Sequence, residues 1–256
     1  IGSVPGIGNI MLAYASAKFD QIHEIHVGFA WDSNIKEFVV PFSIESVLEE
    51  FTDRAPIVKN RHFKYTMPLK NVTREYHHFI GNEEEMFVRH PEQFTFLHYF
   101  GNKGLKNISF YAGFPHHSFT MIVNLIKLGF ASKKPINYFG MKIKPINFLT
   151  QMLKNLGMPA GYKEKENLWV KINGRKNKKD KTILMECLVP PIKGWESAGC
   201  NIDTGLPASI LAQLVKKGII TEKGVFSPET GIPPALFFKE LRKKHLRVYE
   251  NGVVIN

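Results

Sequence analysis

Apolar side chains recur along this chain with two periods, and the switch from one to the other marks out its elements. Ile10 to Phe19 is an apolar helix that follows a turn rich in glycine and proline. Glu24 to Phe29 alternates, with Ile25, Val27 and Phe29 on one face and Glu24 and His26 on the other, which predicts a half-buried strand. Ser43 caps a short helix whose Ile44, Val47, Leu48 and Phe51 lie three and four apart. Pro56 to Lys59 and His62 to Met67 flank Asn60-Arg61 as a hairpin, and Pro91 opens a helix stopped by Gly101 and Gly104. Lys106 to Ala112 is a second alternating strand, and Phe119 to Leu128 and Pro145 to Leu156 are helices closed by Gly129 and Gly157. Leu168 to Asn173 and Thr182 to Val189 form a long hairpin, with Leu168, Val170 and Ile172 facing inward beside Ile183, Met185 and Cys187. Leu206, Ile210 and Leu214, flanked by Leu211 and Val215, stripe a core helix that starts near Pro207 and ends at Gly218. A last helix, Pro234 to Lys244, leads to an Asn251-Gly252 turn of type I′.

Strands and helices mix without an internal repeat or a Ser/Gly-rich linker, so the reading is one α+β domain over residues 1–256. No apolar run approaches the ~18 residues of a membrane span and no signal-peptide pattern occurs, so a membrane partner is not expected. The net charge of +11 admits an anionic substrate or a phosphate-bearing cofactor. The densest lysine run, Lys176 to Lys181, has no interleaved aromatic and reads as a solvated hairpin tip, so nucleic acid is not expected either. Two cysteines, Cys187 and Cys200, are too few for a disulfide scaffold and make a reducing, cytoplasmic setting the default.

Chemistry concentrates in three places. Gly2-Ser3-Val4-Pro5-Gly6-Ile7-Gly8-Asn9 forces a sharp turn at the start of a helix, whose N–H groups and positive dipole end face whatever occupies it. His116 and His117 sit between a strand end and a helix start, where an imidazole can exchange a proton with a substrate; the plainer reading is that Ser118 or His117 only caps the helix. Asp203-Thr204-Gly205 either caps the helix near Pro207 or points a carboxylate and a hydroxyl into a cleft, with Trp195 as an aromatic wall or a core residue. The paired histidines, His77-His78 and His116-His117, lack metal-ligand spacing, so no metal is expected.

The order of these pieces resembles a family. The opening turn matches GxxPGxxN, and Tyr111-Ala112-Gly113-Phe114-Pro115-His116-His117 follows in mid-chain. Thr204-Gly205-Leu206-Pro207-Ala208-Ser209-Ile210 comes next, then Lys223-Gly224-Val225-Phe226-Ser227-Pro228-Glu229. Together they look like the C-terminal part of the saccharopine dehydrogenase-like oxidoreductases, across nearly the whole chain. The resemblance implies a mixed β-sheet with helices on one face, acting as a substrate and dimerisation domain. Residues 1–20 would then be the linker beside an absent N-terminal Rossmann domain, which would bind NAD or NADP. It implies reversible hydride transfer at a C–N or C=O bond of an amino-acid-derived substrate, in a homodimer, with this part inactive alone. By that likeness Val4, Pro5, Gly6 and Asn9 lie beside the nicotinamide, and His116, Thr204, Gly205 and Trp195 line the substrate cleft. His117, Tyr111 and Asp203, in that order, are the candidates for proton exchange. Two departures stand out. Saccharopine-forming members carry an acid before the turn proline, where this chain has Val4, and the histidine doublet replaces a usual single histidine. The first admits an alternative reading, a non-catalytic dimerisation or binding module that has lost its active-site acid.

Overall fold

The computed structural model describes residues 1–40 and 42–256, with the side chain of Cys200 outside the described set. The long strands β1 (Gln21–Ser33), β9 (Glu164–Lys176) and β10 (Lys179–Val189) carry the strongest alternation and form the middle of a ten-stranded sheet. The path runs β12 (Val253–Val254), β11 (Arg247–Glu250), β10, β9, β1, β6 (Asn107–Phe114), β2 (Ala55–Lys59) and β3 (His62–Thr66). The hairpin of β4 (Thr73–His77) and β5 (Gly81–Phe87) joins through β5 to β6. Among the described residues β1 and β6 pair parallel and the other strand pairs are antiparallel, so the sheet is mixed. A separate small hairpin pairs β7 (Ile136–Tyr138) with β8 (Met141–Ile143).

The β9–β10 register is the expected one: Ile183 opposes Ile172, Met185 opposes Val170 and Cys187 opposes Leu168, all fully buried. Ile25, Val27 and Phe29 of β1 extend the same apolar face through Ile172, Val170 and Leu168. Helices cover it: α1 (Ile7–Ser16) on β9 and β10, α3 (Glu92–Phe100) on β6, and α6 (Gly199–Lys216) and α8 (Pro234–Lys243) toward the β9–β11 side. The helix α2 (Ile44–Thr52), capped by Ser43, buries Val47, Leu48 and Phe51, with α5 (Pro145–Lys154) laid over it. The helices α4 (His116–Lys127) and α7 (Pro228–Gly231) complete the set. Among the described residues no helix is long and apolar enough to cross a membrane.

Three local expectations change. The late helix begins at Gly199, not near Pro207, so Asp203, Thr204 and Gly205 ride inside it instead of capping it. Pro207 lacks only the N–H that would have bonded back to residue 203. The preceding turn stays helical because Ile202 and Asp203 face the core and the amides of Asn201 and Ile202 bond Ala198. The stripe on that helix is narrower than read: Ile210 and Leu214 are buried, Val215 is exposed. The β4–β5 hairpin appears where no strand was expected, because Glu83 and Glu85 occupy buried positions that sequence pattern reads as solvated.

Candidate functional site

The opening turn closes on itself. The Gly2 amide donates to the Pro5 carbonyl (2.8 Å), the Ile7 amide to the Gly2 carbonyl (3.1 Å) and the Gly6 amide to Asn9 Oδ1 (2.8 Å). Gly6 holds φ at 154°, and a Cβ there would lie 1.9 Å from the Gly2 carbonyl oxygen, so no other residue fits. Asn9 Nδ2 donates in turn to Glu229 Oε2 (2.8 Å), tying the turn to α7. The amides of Gly6 and Ile7 are thereby spent inside the turn, which leaves it a rigid wall and not an open anion cradle.

Thr204 meets that wall. Its Oγ1 lies 3.5 Å from Ser3 Oγ, and its Cγ2 would stand 3.3 Å from a Cβ on Gly2. Thr204 and Gly205 are exposed, whereas Asp203 is fully buried one residue earlier. Asp203 faces Glu166, which sits on the apolar face of β9 in register with Trp31 and Val189. Burial, then the charge of Glu166, holds the Asp203 carboxyl well above its ordinary range. Burial raises Glu166 to about 7. Asp203 Oδ1 and Oδ2 and Glu166 Oε2 are buried with no hydrogen-bond partner among the described residues, and two carboxyl groups that feel each other's charge inside an apolar layer do not both ionise, so the pair holds a proton near neutrality. Burial and the charge of Glu166 also push Glu50 up to about 8. Beside the turn, Pro5 and Asn9 share a cavity of about 430 Å³ with Phe94, His98, Tyr99 and Val225, a lining with no lysine or arginine.

The remaining predicted residues lie elsewhere. Half-buried His117 stands near Asp32 and Lys36 and bonds the backbone at Glu37, and burial followed by Lys36 lowers its pKa. His116 is exposed and its Nδ1 lies 3.0 Å from Glu84. Trp195 is exposed in the loop where the Glu164 amide bonds the Glu196 carbonyl. Tyr111 is on the other side of the sheet. It is in register with Gly28, whereas Asp203 approaches the Glu166 side of β9. There Tyr111 Oη is 3.1 Å from His26 Nδ1, its ring packs on Trp169 and Phe87, and burial raises its hydroxyl to about 12. These rings line a cavity of about 790 Å³, together with Lys171 and two histidine–carboxylate pairs, His77–Glu85 at 3.0 Å and His78–Glu186 at 3.6 Å. The structure thus brings Gly2, Ser3 and Thr204 together, next in sequence to buried Asp203, and places Tyr111 on the opposite face of the sheet.

Sequence reading missed Ser3, Glu166 and Glu229. A signal for Glu166 existed: it is in phase with Leu168, Val170 and Ile172, so a carboxylate stands at an inward-facing position. Among the described residues no group of three or more His, Cys, Asp or Glu is arranged to hold a metal.

A mixed sheet packed with helices, with a glycine-proline turn opening its first helix, defines the class as an α+β domain. The chain belongs to the saccharopine dehydrogenase C-terminal domain family, whose model matches residues 2–246. Its fold is similar to that of the apo, histidine-tagged saccharopine dehydrogenase (L-Glu forming) of Saccharomyces cerevisiae. The TM-score is 0.76 at 12% identity, over 98% of this chain and 73% of the yeast chain.

Proposed function

We propose that this chain is the substrate-side domain of an NAD(P)-dependent oxidoreductase acting at a C–N bond of an amino-acid-derived substrate, working as a homodimer. The observation that carries the reading is the contact of the Gly2–Gly6 turn with Thr204, the residue that follows buried Asp203. Bound NAD(P)H supplies a hydride to an imine carbon, and the amine nitrogen takes a proton. The cavity beside the turn, mostly apolar and aromatic with Glu92 and no lysine or arginine in its lining, suits the nicotinamide end of the cofactor better than its phosphates. The phosphates therefore fall to a nucleotide-binding half outside this domain, and no G-x-G-x-x-G occurs in the chain.

In this reading the turn fixes one wall of the cleft. Thr204 presents a hydroxyl at its edge, and Asp203 with Glu166 keeps a proton in reserve. His117, its proton affinity lowered by burial, is the second group suited to proton exchange. A chain joining this domain to a nucleotide-binding half should oxidise NAD(P)H with a keto acid plus an amine. His117→Ala there should lower kcat/KM, and unchanged kinetics would exclude that role. The isolated domain should bind NADPH weakly, and micromolar affinity would overturn the assignment of the phosphates. The second reading, a module without catalysis, is favoured by Val4, which has no proton to give. Failure of the joined chain to oxidise NAD(P)H with any keto acid and amine pair would select it.

A further inference from the structure

No acidic residue occurs between Glu92 and Glu164, and no arginine either, while lysines recur throughout. The β7–β8 hairpin stands in the middle of this stretch. Phe139 (φ 47°) and Gly140 (φ 81°) form its tip, and every residue from Lys133 to Lys142 is exposed. Phe139 is 89% exposed, Met141 58%, and Ile136 and Tyr138 more than half. The two strands pair only with each other. Directly after the hairpin, α5 turns Phe148 and Met152, one helical turn apart, to solvent while burying Ile146 and Leu149. Lys133 and Lys154 pair with Glu49 and Glu45 of α2 and with Asp53 just after it. Lys134, Lys142 and Lys144 have no ion-pair partner among the described residues.

Apolar tips on a basic, acid-free segment narrow the occupant by charge. A second copy seated symmetrically on this face would bring the three unpaired lysines against their own equivalents with no carboxylate between them. A nucleic acid would match the charge but would leave Ile136, Met141, Phe148 and Met152 against a hydrated phosphate chain. The interface of an anionic bilayer accepts both kinds of group. Aromatic rings settle at the headgroup level, aliphatic and methionine side chains lie just beneath, and lysines neutralise lipid phosphates.

We infer that the β7–β8 hairpin is a docking element for an anionic phospholipid surface, with Phe139 and Tyr138 as the inserting rings and Lys134, Lys142 and Lys144 as the electrostatic anchor. This surface is independent of the proposed oxidoreductase reaction. It also departs from the expectation of no membrane partner, which rested on the lack of a spanning run.

The test is co-sedimentation of the chain with vesicles of phosphatidylcholine alone and with vesicles containing about one third phosphatidylserine. The chain should pellet with the anionic vesicles only, and less as salt rises. Phe139→Asp should reduce the bound fraction about tenfold or more, and each of Lys134→Gln and Lys142→Gln by roughly fivefold. All three sites are exposed, so the circular dichroism spectrum and Tm should match the parent. Equal pelleting by Phe139→Asp, or no pelleting of the parent, would overturn the inference. So would a parent dimer that Phe139→Asp turns into monomer, or tighter binding to duplex DNA than to the anionic vesicles.

Discussion

Replacing Asp203 by asparagine tests the buried carboxyl pair directly. Asp203 is fully buried and faces Glu166 across an apolar layer, and its carboxyl is held well above the ordinary value near 3.8. In the folded protein it keeps its proton as pH rises, whereas in the unfolded chain it ionises near its ordinary value. The folded state therefore binds more protons than the unfolded state throughout that window, and stability falls as pH rises through it. Each pH unit over which that extra proton is held costs about 1.4 kcal/mol of stability. Asparagine has nearly the same shape, carries no proton to lose, and offers an N–H to Glu166 at every pH. Urea unfolding of parent and Asp203→Asn at pH 5, 6, 7 and 8 should give curves that diverge, the variant gaining on the parent with each step. Near pH 7 the gain should raise Tm by several degrees, at about 2–4 °C per kcal/mol for a chain of this size. Parallel stability curves, or a variant that loses ground as pH rises, would show that Asp203 ionises freely and would refute the shared proton.

Three further outcomes follow from the same geometry. Gly6→Ala must place a Cβ against the Gly2 carbonyl and should cost more than about 3 kcal/mol in urea unfolding; a loss under about 1 kcal/mol would mean the turn is not rigid. Asn9→Ala removes the acceptor for the Gly6 amide and the donor to buried Glu229, so about 2–4 kcal/mol should be lost, and a neutral effect would refute both bonds. Tyr111→Phe deletes a hydroxyl on the far face of the sheet, so stability should fall by only about 1 kcal/mol. In a chain joined to a nucleotide-binding half the same variant should leave kcat nearly unchanged, and loss of turnover would move the chemistry to that face.

Where side-chain period and buried face coincide, the elements could be read in advance. Leu168, Val170 and Ile172 announced β9, and Asn60-Arg61, both with positive φ, gave the β2–β3 turn its place. The β4–β5 hairpin could not be read, because Thr73 to His77 is polar and exposed along nearly its whole length and Gly81 to Phe87 buries two glutamates. The start of α6 was lost for another reason: proline is commonest at the first turn of a helix, and here tertiary burial of Ile202 and Asp203 overrode that preference. The contact of Ser3 with Thr204 spans most of the chain and leaves no local trace in either segment.

The division of the sheet into two chemically different faces bears on which predicted residues can act together. Successive side chains of a strand point to opposite faces with the sheet between them, so groups on the two faces do not converge on a single reacting atom. Thr204, Asp203 and Glu166 share the helix-covered face with the turn. Tyr111, His26 and Trp169 share the other, in a cavity where Glu85 and Glu186 pair with His77 and His78. A carboxyl pair that keeps its proton at neutral pH exists only because apolar side chains surround it, which is why that proton is held on the covered face. The far cavity pairs Glu85 and Glu186 with His77 and His78 instead. If one face of this domain meets a nucleotide-binding partner, the turn, with its amides spent internally and Thr204 at its edge, supplies the more rigid wall of the two.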